Sequence, residues 1–223
     1  MKQNADTKNR LLLAAEEIFA REGYRAASLR AITAAAGVNL AAVNYHYGSK
    51  RELLEAIFAH RLEAMNLARV HRLTQIRETA RVAGRPPEAR TLIAAFLEAA
   101  LDDTRVGPGE RHFMALVMRS SSDTDHTVQL AFTRFMQPTF EVLRSAMAEA
   151  LPDLPAAELW WRLQFAIGAM IRVRHLALAP ETGGDSAHQP SGTTVIRLLT
   201  DFVEAGLIAA PAPSHAPSQG ETS

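Results

Sequence analysis

Three glycines and three capping side chains fall within about thirty residues near the amino end, and that punctuation leaves room for little except short helices joined by tight turns. Gly23, Gly37 and Gly48 each stand where a left-handed residue ends a helix. Ser28, Asn39 and Ser49 each stand where a side-chain oxygen takes up a free N–H at the start of the next helix. The spacing predicts helices over about Thr7–Glu22, Leu29–Ala36 and Leu40–Tyr47, with a fourth opening at Arg51. Ser49 and Glu52 have capping-box spacing. Leu12, Ala15, Ile18 and Phe19 form the apolar stripe of the first helix. This is the layout of a helix-turn-helix bundle.

The remainder also reads as helix. Ala-, Leu-, Glu- and Arg-rich stretches carry apolar residues three and four apart, and no run alternates like a strand. The expected fold class is therefore all-α: a three-helix amino-terminal domain and a carboxy-terminal helical bundle. The fourth helix runs toward Arg81 on a stripe of Leu54, Ile57, Phe58, Leu62 and Met65, and Gly84, Pro86 and Pro87 end it. A helix from about Glu88 to Asp103 follows, then a breaker at Val106–Gly109 and a short helix from Glu110 to Arg119. Ser120–Asp123 reads as a turn. The next helix reaches Ala150, with a kink or break expected at Pro138. Pro152 and Pro155 precede a helix over Glu158–Leu178, Glu181–Pro190 reads as loop, and a last helix opens at Ser191 or Thr193 and ends at Ile208. The boundaries expected are 1–50, 51–209 and a disordered tail over 210–223, where Pro and Ser dominate.

Charge decides which partner the first domain suits. The whole chain is balanced, with 24 basic and 24 acidic residues, which disfavours a general nucleic-acid coater. Through Arg51, however, Lys2, Lys8, Arg10, Arg21, Arg25, Arg30, Lys50 and Arg51 face only Asp6, Glu16, Glu17 and Glu22. The excess lies on a helix-turn-helix, whose second short helix enters the major groove. Val43 and Tyr47, four apart, anchor that helix inward. Leu40, Ala41, Asn44, Tyr45 and His46 lie on its other face. Ala41 permits close approach and can touch a thymine methyl, Asn44 can pair with a base edge, and Tyr45 and His46 can bond phosphates. Lys50 sits at a helix N-terminus, which already favours a phosphate, and Arg30 can fork onto guanine.

Residues 28–54, SLRAITAAAGVNLAAVNYHYGSKRELL, resemble the DNA-binding signature of the TetR family of bacterial regulators. The resemblance places Arg30, Asn39, Leu40, Ala41, Asn44, Tyr45, His46 and Lys50 at positions the family uses on DNA. Better-known members often carry an aromatic residue where this chain has Asn44. The resemblance implies a homodimer through the last two long helices, reading a near-palindromic operator. Ala166, Gly168 and Ala169 allow close helix approach there, and Val195, Leu198, Leu199, Phe202 and Val203 supply apolar surface. It also implies a cavity for a small apolar effector. The candidates to line it are Phe96, Phe113, Met114, Val117, Phe132, Phe135, Met136, Phe140, Trp161, Phe165 and Met170. Effector binding is expected to move the fourth helix, which both domains share, and release a repressor from its operator. A second motif, ELWWRLQFAIGAM, resembles a branch responding to fatty acids or acyl-CoA, with Arg162, Arg172 or Arg174 as partners for an acidic head.

Other classes find less support. No Gly-rich phosphate loop, HExxH, G-x-S-x-G or cysteine is present, so neither an enzyme nor a bound cofactor or metal is expected. The histidines are scattered. A regulator of efflux or xenobiotic response, or a DNA-binding protein with no small-molecule effector, are the remaining alternatives. No apolar run of about 18 residues suggests a membrane span, and the polar start lacks a signal-peptide core, so a cytoplasmic location is expected.

Overall fold

The computed structural model describes residues 2–101, 108–120, 126–178 and 192–210. Among them the chain forms helices and no strand. These are α1 (Lys2–Glu22), α2 (Leu29–Ala35), α3 (Leu40–His46), α4 (Lys50–Val82), α5 (Ala89–Leu101), α6 (Pro108–Ser120), α7 (Thr127–Ala150), α8 (Ala156–Leu178) and α9 (Gly192–Ile208). The expected loop over Glu181–Pro190, most of the Ser120–Asp123 turn and the tail from Pro211 lie outside the described residues.

The amino-terminal punctuation acts as its chemistry requires. Gly23, Gly37 and Gly48 have φ of 87°, 64° and 79°, a region that residues with a Cβ rarely adopt. Ser28 Oγ accepts from the Ala31 N–H at 3.1 Å, Asn39 Oδ1 from Ala42 at 3.0 Å and Ser49 Oγ from Glu52 at 3.1 Å. The box at Ser49 is one-sided, because the Ser49 N–H donates to the Tyr47 carbonyl at 3.0 Å. The Glu52 carboxylate instead packs over Gly48, where a Cβ would lie 2.5 Å from Oε2. Leu11, Ala15, Ile18 and Phe19 of α1 join Ile32, Val43, Leu53, Leu54 and Ile57 in one core that continues into the rest of the chain.

Two expectations about helix ends are corrected. α6 begins at Pro108, not Glu110, because proline at the first helical turn gives up an N–H that has no partner there. α7 is not broken at Pro138 but continues through it. In the turn before this proline, the Asn66 side chain of α4 donates to the Phe135 carbonyl at 2.9 Å.

The carboxy-terminal bundle packs α7 and α5 on α4, with α8 and α9 against each other and α9 also on α5. α6 lies along α1 and also touches α7 and α8, so it bridges the amino-terminal helices and the bundle. Its C-terminal end grips α1, and its N-terminal end lies against an α1–α4 ion pair. At the C-terminal end, Arg119 Nη1 donates to the Arg21 carbonyl at 2.9 Å and the Ala20 carbonyl at 3.4 Å, capping the last turn of α1. At the N-terminal end, Glu16 of α1, 1% exposed, is held by Arg61 of α4 through contacts of 2.8–3.1 Å. Gly109 of α6 lies against that pair: a Cβ there would come 2.0 Å from Arg61 Nη2, the end of a flexible side chain.

Candidate nucleic-acid interface

α3 has seven residues and two faces of opposite character. Val43 is fully buried, and Tyr47, at the C-cap, is nearly so. The Tyr47 hydroxyl donates to the Lys8 carbonyl at 2.8 Å, tying the end of α3 to α1. Burial pushes that phenol up to about 12. The opposite face carries Leu40, Ala41, Asn44 and Tyr45, all exposed, with Tyr45 at 77%. His46 is half-buried, its ring set edge-on to Tyr45 at 5.0 Å. Asn39 is exposed, but its side chain is already engaged as the α3 cap. Arg30 of α2 is exposed. The exposed candidates Leu40, Ala41, Asn44 and Tyr45 thus share α3, with Arg30 on the adjoining α2.

Lys50 is more constrained than its sequence position suggests. Its ammonium lies 4.6 Å from the Tyr24 ring centroid and donates to the Arg25 carbonyl at 3.3 Å. It therefore braces the α1–α2 connection at the N-terminus of α4, near the same surface.

Between α4, α6, α7 and α8 lies a pocket of about 60 Å³. Of the eleven aromatic and aliphatic candidates, Phe113, Met114, Val117, Phe132, Met136 and Met170 stand on its wall. The other five do not, and each for a visible reason. Phe96 is buried beneath the Arg69 guanidinium, 4.2 Å from its ring centroid. Phe135 stacks on Phe58 at 6.1 Å, and Phe140 is partly buried against the core. Trp161 and Phe165 point outward, 56% and 67% exposed. The wall also carries Arg61, Arg69, Glu110 and Arg174, of which only Arg174 was singled out from sequence.

The outward aromatics belong to a stripe. On α8, Trp161, Phe165, Gly168, Arg172 and Leu176 recur at helical spacing and all are exposed. On α9, Leu198 and Phe202 are exposed while Leu199 and Val203 are buried. Two adjacent helices thus present large apolar side chains to solvent, a pattern that marks an interaction surface.

Residues 11–57 match the family model for bacterial regulatory proteins of the tetR family, and residues 94–206 match the model for tetracyclin repressor-like C-terminal domains. The chain belongs to the TetR family. It is accordingly a DNA-binding transcriptional regulator and not an enzyme. The TetR relatives include the HTH-type transcriptional regulator SrpR of Pseudomonas putida, 27% identical over 154 residues, covering 67% of this chain and 64% of that one. The HTH-type transcriptional regulator TtgW, also of Pseudomonas putida, is 37% identical over 62 residues, 28% of this chain and 46% of that one. The matched parts thus span less than two thirds of either curated relative. Among solved TetR-like folds, the fatty acid degradation regulator FadR from Bacillus halodurans superposes with a TM-score of 0.61 at 12% identity, over 91% of this chain and 96% of that one. A transcriptional regulator from Saccharomonospora viridis in complex with choline gives 0.58 at 20% identity, over 90% and 96%. At such identities these structures share the fold.

Within this TetR chain, Arg162 does not face the cavity. It donates to the carbonyls of Gly206, Leu207, Ala209 and Ala210 and so caps the C-terminus of α9. Arg172 is exposed. Arg61 and Arg69 were missed, yet a signal existed. The inward stripe of α4 runs through buried Phe58 and Leu62, half-buried Met65 and buried Leu73, and Arg69 occupies the position between the last two. A charge on an apolar stripe is the mark of a paired or functional group.

Proposed function

We propose that this regulator binds a near-palindromic operator as a homodimer, represses from it, and is released by a small apolar effector. The observation that carries the reading is the split character of α3: buried Val43 and Tyr47 fix it, while Leu40, Ala41, Asn44 and Tyr45 stand free on the outer face. In this reading Asn44 meets a base edge, Arg30 reaches the groove, and Tyr45, His46 and Lys50 hold phosphates. Residues 1–50 form the reading head and 51–209 the sensing and dimerising body. The exposed stripe of α8 and α9 is the face each subunit offers its twin, spacing two heads about one DNA turn, roughly 34–36 Å, or a multiple of it, apart. The site of action is the cytoplasm, where the DNA is; no described helix is long and apolar enough to cross a membrane.

The cavity supports the effector half of the proposal. Its methionines suit a pliable apolar guest, and α6 forms part of its wall while lying on α1. An acyl chain fits the resemblance to fatty-acid-responsive regulators, and FadR carries that activity in its name. The guest must bind the DNA-incompetent arrangement better, and a coupling of about 1–3 kcal/mol weakens operator binding roughly 5–150-fold. The cavity's small volume favours a second reading, a regulator with no small-molecule effector. Selection of bound duplexes from random DNA, with and without a fatty-acid panel, tests both. A recurrent two-fold motif whose recovery falls with one acid supports the first reading. A motif indifferent to every acid, with no thermal shift, supports the second, and no motif at all overturns the DNA assignment.

A further inference from the structure

Two ion pairs lie side by side where the amino-terminal helices join the bundle. In the first, Arg61 Nη2 of α4 donates to both carboxylate oxygens of Glu16 of α1 at 2.8 Å. In the second, the Arg174 guanidinium of α8 lies 3.3 Å from the Glu110 carboxylate of α6. Gly109, one residue before Glu110, stands against Arg61 Nη2. The Glu110 charge reaches the Glu16 carboxyl, where it adds to the rise that burial causes. The side chains of Glu16, Arg61, Glu110 and Arg174 are all withdrawn from water, so solvent screens little between them. A junction that needed only stability is served as well or better by apolar side chains of similar volume. One long, flexible guanidinium with a carboxylate on each of two helices has, instead, a choice of partner.

We propose that Arg61 is an exchangeable latch between the amino-terminal helices and the bundle: it holds Glu16 in the arrangement described above and passes to Glu110 when α6 shifts against α1. The latch rests on the chain reading DNA through α3 and requires no particular effector. Arg61 acts through the seating of α1, so it is a positioning residue. Glu16, once released, stays buried without its guanidinium, and burial favours its neutral acid. Glu110 then stands between Arg61 and Arg174. The cleft beside Glu16 adds Arg10 and Glu17 of α1 and His112 of α6, while α2 brings only Ala35 and Ala36 to it. Arg10 is itself engaged by Asp6 at 3.3 Å. Each partner of Arg61 thus favours a different seat of the head on the body, which is what a two-state element requires.

The test uses the full-length chain and a duplex selected from random DNA. Glu16→Gln leaves Arg61 to Glu110, and Glu110→Gln leaves it to Glu16. The two variants are expected to move duplex affinity, read by fluorescence anisotropy, in opposite directions, each by about fivefold or more. Damage to a merely structural pair lowers affinity in both. Urea unfolding reads the exchange without DNA. There the coupling between Arg61→Gln and Glu110→Gln is expected to be small with Glu16 present and to grow in the Glu16→Gln background. Affinity shifts of the same sign, unchanged affinity, or a coupling indifferent to Glu16 overturns the latch. A wild-type chain that binds no duplex overturns the DNA assignment instead, and the unfolding cycle then decides the latch. If Glu16→Gln does not fold, Glu16→Asp, which shortens the reach to Arg61, takes its place with the same expected sign.

Discussion

Glu16 is a carboxylate placed where water cannot reach it, and its behaviour follows from that. Burial pushes its pKa above the ordinary carboxylate value, the Arg61 guanidinium pulls it down, and the Glu110 charge adds to the rise. Just above the ordinary glutamate pKa, the folded chain keeps a proton that the unfolded chain has released. Stability contributed by this residue is therefore full below that window and declines as pH rises through it. Urea midpoints across mildly acidic pH are expected to show this decline in the wild type and to lose it in Glu16→Gln. Gly109→Ala probes the same pair from another side. The added methyl pushes on the end of the Arg61 side chain, which must shift to keep its hold on Glu16, so a modest loss of stability is expected. Equilibrium unfolding with an unchanged slope reads that loss. On the DNA surface, Lys50→Ala is expected to weaken binding to every duplex and lower the salt slope by about one unit, whereas Asn44→Ala relaxes preference at one base pair. Equal loss on operator and random DNA in both variants contradicts these roles.

At the level of elements, caps and stripes were legible from sequence because they are local. Ser28, Asn39 and Ser49 each bond the N–H three residues on, as the spacing predicts. The faces of α3 followed from Val43 and Tyr47 standing four apart. What the sequence could not supply was which helix covers which. Trp161 and Phe165 were assigned to a pocket because large aromatics at helical spacing have the same pattern whether they meet a cavity or a second subunit. Pro138 was read as a kink or break, yet α7 runs on through it beside an Asn66 contact that comes from far away in the chain. Arg69, a charge on the α4 stripe, left a local sign of its long-range partners that was passed over. Asn39 tests how far a cap serves recognition. Asn39→Ser keeps an acceptor for the Ala42 N–H and is expected to retain near-wild-type DNA affinity. Asn39→Ala loses about 1 kcal/mol of helix stability and weakens binding, read by anisotropy. Equal loss in both variants makes Asn39 a direct contact.

For the whole molecule, the body exposes Trp161, Phe165, Leu198 and Phe202 on two neighbouring helices, and Arg162 fixes the end of one of them. A charge set in that stripe separates self-association from folding. Phe202→Glu changes a side chain that is 70% exposed, so the monomer keeps its core. Sedimentation equilibrium is expected to show a monomer with wild-type helicity, and its operator affinity to fall by about a hundredfold or more, since two linked half-sites no longer act together. A dimer that persists in Phe202→Glu moves the self-contact elsewhere.

The grip of α6 on α1 carries a consequence for what counts as a module. The counter-ion of Glu16 comes from α4, and the acceptors at the end of α1 are satisfied by Arg119 of α6. Cut loose at residue 50, the reading head keeps its caps and turns but forfeits those partners and part of its shared core. The amino-terminal helices and the bundle are thus expected to unfold in one cooperative transition, and a fragment ending at residue 50 to unfold at lower denaturant than the intact chain.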